Sequence, residues 1–316
     1  MIVTLTPNPS LDRTLQIEQL RRGEVVRASS VRVDPGGKGI NVALALTTTG
    51  HAARAVVPIG GREGEQLAAA IEDTGIELIR VAITEAVRTN ITLAEPDGSV
   101  TKINDPGPTL TPTEAAALTR STIDALDGAT WVAGCGSLPP GASNQLYAEL
   151  VAQAHAAGAL VAVDASGPAL AASVEAGPDL IKPNVHELAE LTGRHLLRIG
   201  DVVDAAHQLQ ASGIATVVVS LGADGAVLVD AEAAWAATTP RITVWSTVGA
   251  GDALVAGLLA AGGRGPEALR SGVAYGTAAA QLPGTQFPTP DQLNLDAVTV
   301  AEADPDRELT EPGGPR

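Results

Sequence analysis

Ser246-Thr247-Val248-Gly249-Ala250-Gly251-Asp252 opens an apolar run that continues to Ala261. Two glycines flanking an alanine allow a tight turn and let a ligand approach the backbone closely, which larger side chains obstruct. The run that follows reads as a helix, so Asp252 falls in its first turn. The N–H groups there lack intrahelical acceptors and attract anions such as phosphate. A phosphoryl group and a base can meet at such a place. The plainer reading is a loop followed by an acidic helix start, where negative charge is favourable by ~0.3–1 kcal/mol. Taken alone, the stretch supports both.

Upstream of it the chain alternates strands and helices. Ile2 to Thr6 reads as a buried strand ended by Pro7 and Pro9, and Gly39 to Gly50 as a helix. Strands at Ala53–Pro58, Glu77–Ile83, Trp131–Ala133, Leu160–Val163, Leu180–Lys182 and Thr216–Ser220 are interleaved with helices at Glu63–Thr74, Asn144–Ala157 and Val202–Ala211. Another helix starts at the capping box Thr111-Pro112-Thr113-Glu114. Strands at Ala226–Val229 and Ile242–Trp245 precede the organising loop, and helices at about 252–261 and 266–281 follow it. This rhythm predicts an α/β fold, a mostly parallel sheet with helices on both faces and a ligand crevice beyond the strands' C-terminal ends.

Two β-rich stretches, at about 13–34 and 87–104, do not alternate with helices. The second contains the turn signal Pro96-Asp97-Gly98 and reads as a hairpin. Both are assigned to a small β lid on a single domain spanning 1–303. The Asp-, Glu-, Pro- and Gly-rich tail, 304–316, is expected to be disordered.

Composition narrows the chemistry. Aromatic residues are 2% of the chain, so its core must be built from Ala, Val, Leu and Ile, and an aromatic stack on adenine is disfavoured. A net charge of -16 argues against nucleic acid and anionic membranes, whose binding rests on basic surface. The single cysteine, Cys135, excludes an intramolecular disulfide and, with no leader-like start and no apolar run able to span a bilayer, points to the cytoplasm. The five histidines show no metal-ligand spacing. All three lysines, Lys38, Lys102 and Lys182, fall in stretches expected to border the pocket.

Thr6-Pro7-Asn8-Pro9-Ser10-Leu11-Asp12, Gly36-Gly37-Lys38-Gly39-Ile40-Asn41, Lys182-Pro183-Asn184-Val185-His186-Glu187, Ser220 to Gly225 and Thr247 to Asp252 occur in that order. Together they resemble the successive motifs of the ribokinase-like (PfkB) carbohydrate kinases, in the branch acting on fructose 1-phosphate and tagatose 6-phosphate. The resemblance covers nearly the whole chain. It implies a ribokinase-like fold, ATP-dependent phosphorylation of a ketohexose phosphate, and a homodimer sharing its lids. Fructose 1-phosphate stands first as substrate. Tagatose 6-phosphate, fructose 6-phosphate and a non-catalytic sugar-phosphate sensor remain open.

Residue chemistry agrees with that resemblance. A sugar hydroxyl is a weak nucleophile and needs a base, which Asp252 supplies, while the N–H groups of Gly249, Ala250 and Gly251 form a preorganised anion hole. Lys38 lacks the Walker A context. With Gly36, Gly37 and Asn41 it reads as a sugar-phosphate site, with Arg88 of the lid as a guanidinium clamp. By resemblance Asp12 and Ser137 line the sugar site, and Lys182 joins the nucleotide side. Asn184 and Glu187 read equally as a helix cap and, by resemblance, as a site for Mg²⁺, with Glu187 acting through water. Ser220, Leu221, Gly222, Ala223, Asp224 and Gly225 form a glycine-bounded turn suited to a nucleotide edge or to a plain hairpin. Gly276 and Ala280 are expected to present a flat face to adenine.

Overall fold

The computed structural model describes residues 1–314. The chain opens with β1 (Ile2–Leu5) and makes an excursion through β2 (Ser10–Gln16) and β3 (Ser30–Gly36). It returns through α1 (Lys38–Thr48), β4 (Ala53–Ile59), α2 (Gly61–Glu72) and β5 (Glu77–Ala82). A second excursion, β6 (Arg88–Ala94) and β7 (Val100–Ile103), precedes α3 (Pro112–Asp124), β8 (Trp131–Cys135), α4 (Leu146–Ala156), β9 (Leu160–Asp164) and α5 (Gly167–Glu175). Then come β10 (Leu180–Ile181), α6 (Val185–Thr192), β11 (Leu196–Arg198), α7 (Ile199–Gln210), β12 (Thr216–Ser220), β13 (Ala226–Val229) and β14 (Ala234–Thr238). The last elements are α8 (Ala250–Ala260), α9 (Gly265–Ala280), β15 (Thr299–Glu302) and β16 (Glu308–Gly313).

The main sheet has the order β15-β14-β13-β12-β10-β9-β8-β1-β4-β5. It is parallel from β12 to β5 and antiparallel among β12 to β15. Parallel strands are buried on both faces, and the side chains divide accordingly. Val161 and Val163 face the core shared with α4 to α7, while Ala162 between them faces the core shared with α1, α8 and α9. α8 is apolar nearly all round because it lies inside that second layer, burying Leu254, Val255, Leu258 and Leu259. Each such side chain contributes about 1.5–3 kcal/mol relative to exposure.

Both excursions meet in a four-stranded lid of order β3-β2-β6-β7. β2 pairs in parallel with β6, and the expected hairpin at 88–104 is the antiparallel pair β6–β7. The α/β sheet with helices on both faces and a small β lid is the one the sequence predicts.

Two expectations fail. Ile242–Trp245 is not a strand. It runs exposed past the sheet, with Val244 and Trp245 in solvent and the N–H groups of Trp245 and Ser246 both donating to the Ala280 carbonyl. The strand there is β14, whose alanine-rich Ala234-Trp235-Ala236-Ala237 lacks the β-branched signal of its neighbours. The tail from Asp304 is not disordered over the described residues either, because β16 pairs antiparallel with β11 and buries Leu309. One apolar side chain among charges and prolines is invisible to a compositional reading. Pro315 and Arg316 lie outside the described residues.

Candidate active site

The parallel strands β1, β8, β9, β10 and β12 end on one edge of the sheet. The motifs at Thr6, Lys182 and Ser220 leave from those ends, while Gly36–Asn41 follows the lid strand β3 and Thr247–Asp252 an irregular segment. Gly249 precedes α8 with φ of 80°, a left-handed conformation that a side chain strains, and a Cβ there would meet the Phe287 ring at 3.3 Å. This turn sets Ala250 and Gly251 in the first turn of α8. The Ala250 N–H already makes a long bond of 3.4 Å to the Thr247 carbonyl. Asp252 follows, 6% exposed, and Asn41 Nδ2 donates to its Oδ2 at 2.7 Å.

Beside it stands an acid that the motif reading missed. Asp164, at the end of β9, is 2% exposed. Its Oδ1 accepts from Lys38 Nζ at 2.9 Å and pairs with Lys182 Nζ at 3.3 Å. The signal was legible: an aspartate ending the apolar strand Leu160-Val161-Ala162-Val163 is misplaced in a core unless it is paired. Two lysines and two carboxylates thus neutralise one another in one cluster, in which Asp164, Lys182 and Asp252 are buried and the Lys38 side chain is 38% exposed. Gly251 lies against it, since a Cβ there would come within 3.8 Å of Lys182 Nζ.

The cluster sorts its protons. Burial pushes the Asp252 carboxyl up to about 6, and the Asp164 charge adds to the rise against Lys38, the Asn41 hydrogen bond and Lys182. Burial also opposes the Asp164 anion, but Lys182 and Lys38 hold its carboxyl below the usual range. Lys38 is held protonated, its burial outweighed by Asp164, Asp252 and Glu187. Cys135 is buried nearby, and burial with the two aspartates keeps its thiol protonated. One carboxylate near neutrality and one firmly ionised are the pattern of a base and a counter-ion.

Other predicted residues gather around this centre. Asp12 accepts from Ser10 Oγ at 2.7 Å and from Asn90 Nδ2 at 3.0 Å, and Gly36 packs so closely on Asp12 that a side chain would collide with its carboxylate. Gly37 opens α1, directly before Lys38. Ser137 is exposed and lies 3.5 Å from Asn8 Nδ2. Arg88 donates to the carbonyls of Pro9, Asp105 and Asn8, so it ties the lid to the exit of β1. Asn184 caps α6 and Glu187 Oε2 accepts from the Asn184 N–H at 2.8 Å, so the capping reading of this pair holds. A bridge between Asn184 and Ser220 joins that cap to the turn Leu221–Gly225.

Three residues fall elsewhere. Lys102 is exposed on β7, the outer lid strand, away from the other two lysines. Gly276 turns toward α8, where a Cβ would meet the Ala250 carbonyl at 3.0 Å, so its smallness serves helix packing. The Ala280 carbonyl is taken by Trp245 and Ser246. The α9 face that borders open space carries Ala274, Ala278 and Gln281, beside a cleft of about 250 Å³ that Thr239, Ile242 and Val298 also line. Asp224 is likewise engaged, its two carboxylate oxygens accepting from Thr310.

The chain matches the model of the pfkB family of carbohydrate kinases over residues 7–292. The chain belongs to the pfkB family of carbohydrate kinases. It is therefore a phosphotransferase with an alcohol group as acceptor. Among relatives of this pfkB kinase, the 1-phosphofructokinase of Rhodobacter capsulatus is 39% identical over 304 residues, covering 95% of this chain and 96% of the relative. The ATP-dependent 6-phosphofructokinase isozyme 2 of Escherichia coli strain K12 is 37% identical over 292 residues, covering 90% and 94%. The crystal structure of Escherichia coli phosphofructokinase-2 with substrates and products superposes with a TM-score of 0.86 at 35% identity, covering 92% of this chain and 96% of that one.

Proposed function

We propose that this pfkB-family kinase transfers the terminal phosphoryl group of ATP to the free primary hydroxyl of fructose 1-phosphate, giving fructose 1,6-bisphosphate. The observation that carries the reading is the pairing of a buried carboxyl held near neutrality, Asp252, with the turn Gly249–Gly251 and two lysines at the strand ends. Asp252 takes the hydroxyl proton as the hydroxyl oxygen bonds to phosphorus and the bond to ADP breaks. The N–H groups of Gly249 to Gly251 and the lysine charges stabilise the oxygens of the group in flight. Lys38 faces the reacting centre, and Asp12, Asn41 and Ser137 hold the sugar, with Arg88 bracing the lid above it.

ATP lies along Lys182, Asn184 and the turn Ser220–Gly225. Its base enters the cleft beside Ala274, Ala278 and Gln281, whose lining residue Thr239 follows the Ala237–Thr238 backbone on which Gly225 packs. Mg²⁺ fits the oxygen donors present. Glu187 is partly exposed with one oxygen used in the cap, and Asp164 Oδ2 is buried without a partner among the described residues. A hard cation held by one or two carboxylates, waters and substrate phosphates suits such a set. When bound, it would neutralise charge on the phosphates. A free buried thiol and ATP as co-substrate support a location in the reducing cytoplasm.

The identity to both a 1-phosphofructokinase and a 6-phosphofructokinase makes fructose 6-phosphate the competing acceptor. A coupled assay of ADP release across fructose 1-phosphate, tagatose 6-phosphate, fructose 6-phosphate and fructose decides it. The highest kcat/KM is expected for fructose 1-phosphate, and a higher value for either fructose 6-phosphate or fructose overturns the assignment.

A further inference from the structure

The C-terminal strand β16 begins sixteen residues beyond the end of the family match, which closes at residue 292. It does not end loosely on the surface. Thr310 donates twice to the Asp224 carboxylate, from its N–H to Oδ2 at 2.6 Å and from its Oγ1 to Oδ1 at 2.9 Å. Arg307 Nη2 donates to the Asp224 carbonyl at 3.0 Å. Three bonds from one short segment therefore converge on one residue of the turn that follows β12.

The same strand also touches the neighbouring turn. Gly313 packs so tightly on Val185, the first residue of α6, that a Cβ would lie 2.7 Å from the Val185 carbonyl oxygen. Val185 follows Asn184, which bridges to Ser220. The strand is itself anchored, by buried Leu309, by its pairing with β11, and by bonds from Ile199 and Gly200 to the carbonyls of Arg307 and Pro305 at 2.9 and 3.0 Å. A fixed rod thus runs behind both chain segments assigned to the nucleotide phosphates.

Gly222 and Ala223, at the tip of the turn, are exposed and too small to pack against anything themselves. A turn of that kind keeps conformational freedom that a ligand must remove on binding, and clamping it beforehand lowers that cost. We propose that Thr310, acting through Asp224, is a positioning residue that pre-orders the Leu221–Gly225 turn for ATP. This rests on the reading of that turn as the nucleotide edge. Asp224 serves the nucleotide indirectly: its carboxylate holds the tail while the backbone on either side faces the ligand.

The test uses the full-length enzyme with Thr310→Val, which deletes one hydrogen bond to a charged acceptor and keeps size, and Thr310→Ser, which restores the hydroxyl. Thr310→Val should raise KM for ATP about three- to tenfold, part of what such a bond is worth, while kcat and KM for the sugar phosphate stay within about twofold. Thr310→Ser should return KM for ATP toward wild type. Hydrogen exchange of amides 221–225 with and without ADP reports the turn separately, and ADP should protect them. Protection by ADP with an unchanged KM for ATP in Thr310→Val overturns the positioning role and leaves the nucleotide reading intact. No protection overturns both. A Thr310→Val enzyme whose kcat and Tm fall while both KM values rise together overturns the positioning role in favour of a purely structural latch.

Discussion

Asn41 and Asp252 lie 211 residues apart in the chain and share a hydrogen bond of 2.7 Å, which joins α1 of the sugar-phosphate motif to α8 of the anion-binding turn. A hydrogen bond donated to a carboxylate favours its ionised form, so Asn41 opposes the burial that raises Asp252 to about 6. Only ionised Asp252 can accept a proton. The kcat–pH profile should therefore lose activity about tenfold per unit below a pH near that value. Asn41→Leu should move this acid limb upward by roughly one unit. A limb near the ordinary aspartate value, unmoved by Asn41→Leu, contradicts the assignment of the base.

Asp252→Asn keeps the shape and the Asn41 contact but cannot take a proton, so kcat should fall at least ~10²-fold while both KM values change little. Stability should move the other way. A carboxyl raised in the folded state binds its proton more tightly there than in the unfolded chain. Its contribution therefore falls as pH rises from the unfolded value of 3.8 to about 6 and stays low above that. Asp252→Asn removes this penalty, worth roughly 2–3 kcal/mol above pH 6. Thermal melts at pH 7.5 should show a higher Tm than wild type, and the gain should shrink toward pH 4. An unchanged Tm with lost activity would separate catalysis from strain.

Asp164 is the shared counter-ion of Lys38 and Lys182. Lys38→Ala leaves Lys182 to neutralise it, so the fold should survive. Because Lys38 stands beside Asp252, kcat should drop and KM for the sugar phosphate should rise, with KM for ATP nearly constant. Asp164→Asn instead leaves buried Lys182 without its partner, a loss on the scale of 3–5 kcal/mol, and urea midpoints should fall accordingly. A rise confined to KM for ATP in Lys38→Ala would place that lysine on the nucleotide.

Glu187 has two claims on it, the α6 cap and a metal. Glu187→Gln keeps the capping bond to the Asn184 N–H through its amide oxygen and removes the charge. The Mg²⁺ concentration for half-maximal rate should rise by more than KM for the sugar phosphate. If Tm drops while Mg²⁺ dependence is unaltered, Glu187 is a cap alone.

Among the described residues the lid leaves β3 and β7 as unpaired edges and exposes Val31, Val100 and Ile103 on them. Open strand edges with apolar side chains are usually paired or covered. Light scattering at assay concentration should give a dimer that Val31→Asp converts to monomer with loss of rate. A wild-type monomer with full activity would remove the lid from the assembly.

What the sequence determined by itself was local and periodic. The β/α alternation set the sheet and its edge, Pro96-Asp97-Gly98 set the hairpin, and the glycines of 249–251 and 36–37 marked where backbone must turn or be approached. Each of these is encoded within a few residues. Tertiary structure alone decided which charges meet. Asp164 acquires two lysines from motifs 126 and 18 positions away, and Asp252 acquires Asn41, because β9 and β10 end where α1 and α8 begin. It also decided that Gly276 is a packing residue, that Ala234–Thr238 is a strand, and that Thr310 fastens the tail onto the turn at Asp224. Burial, pairing and the proton affinities they set depend on neighbours distant in sequence, and no window along the chain contains them.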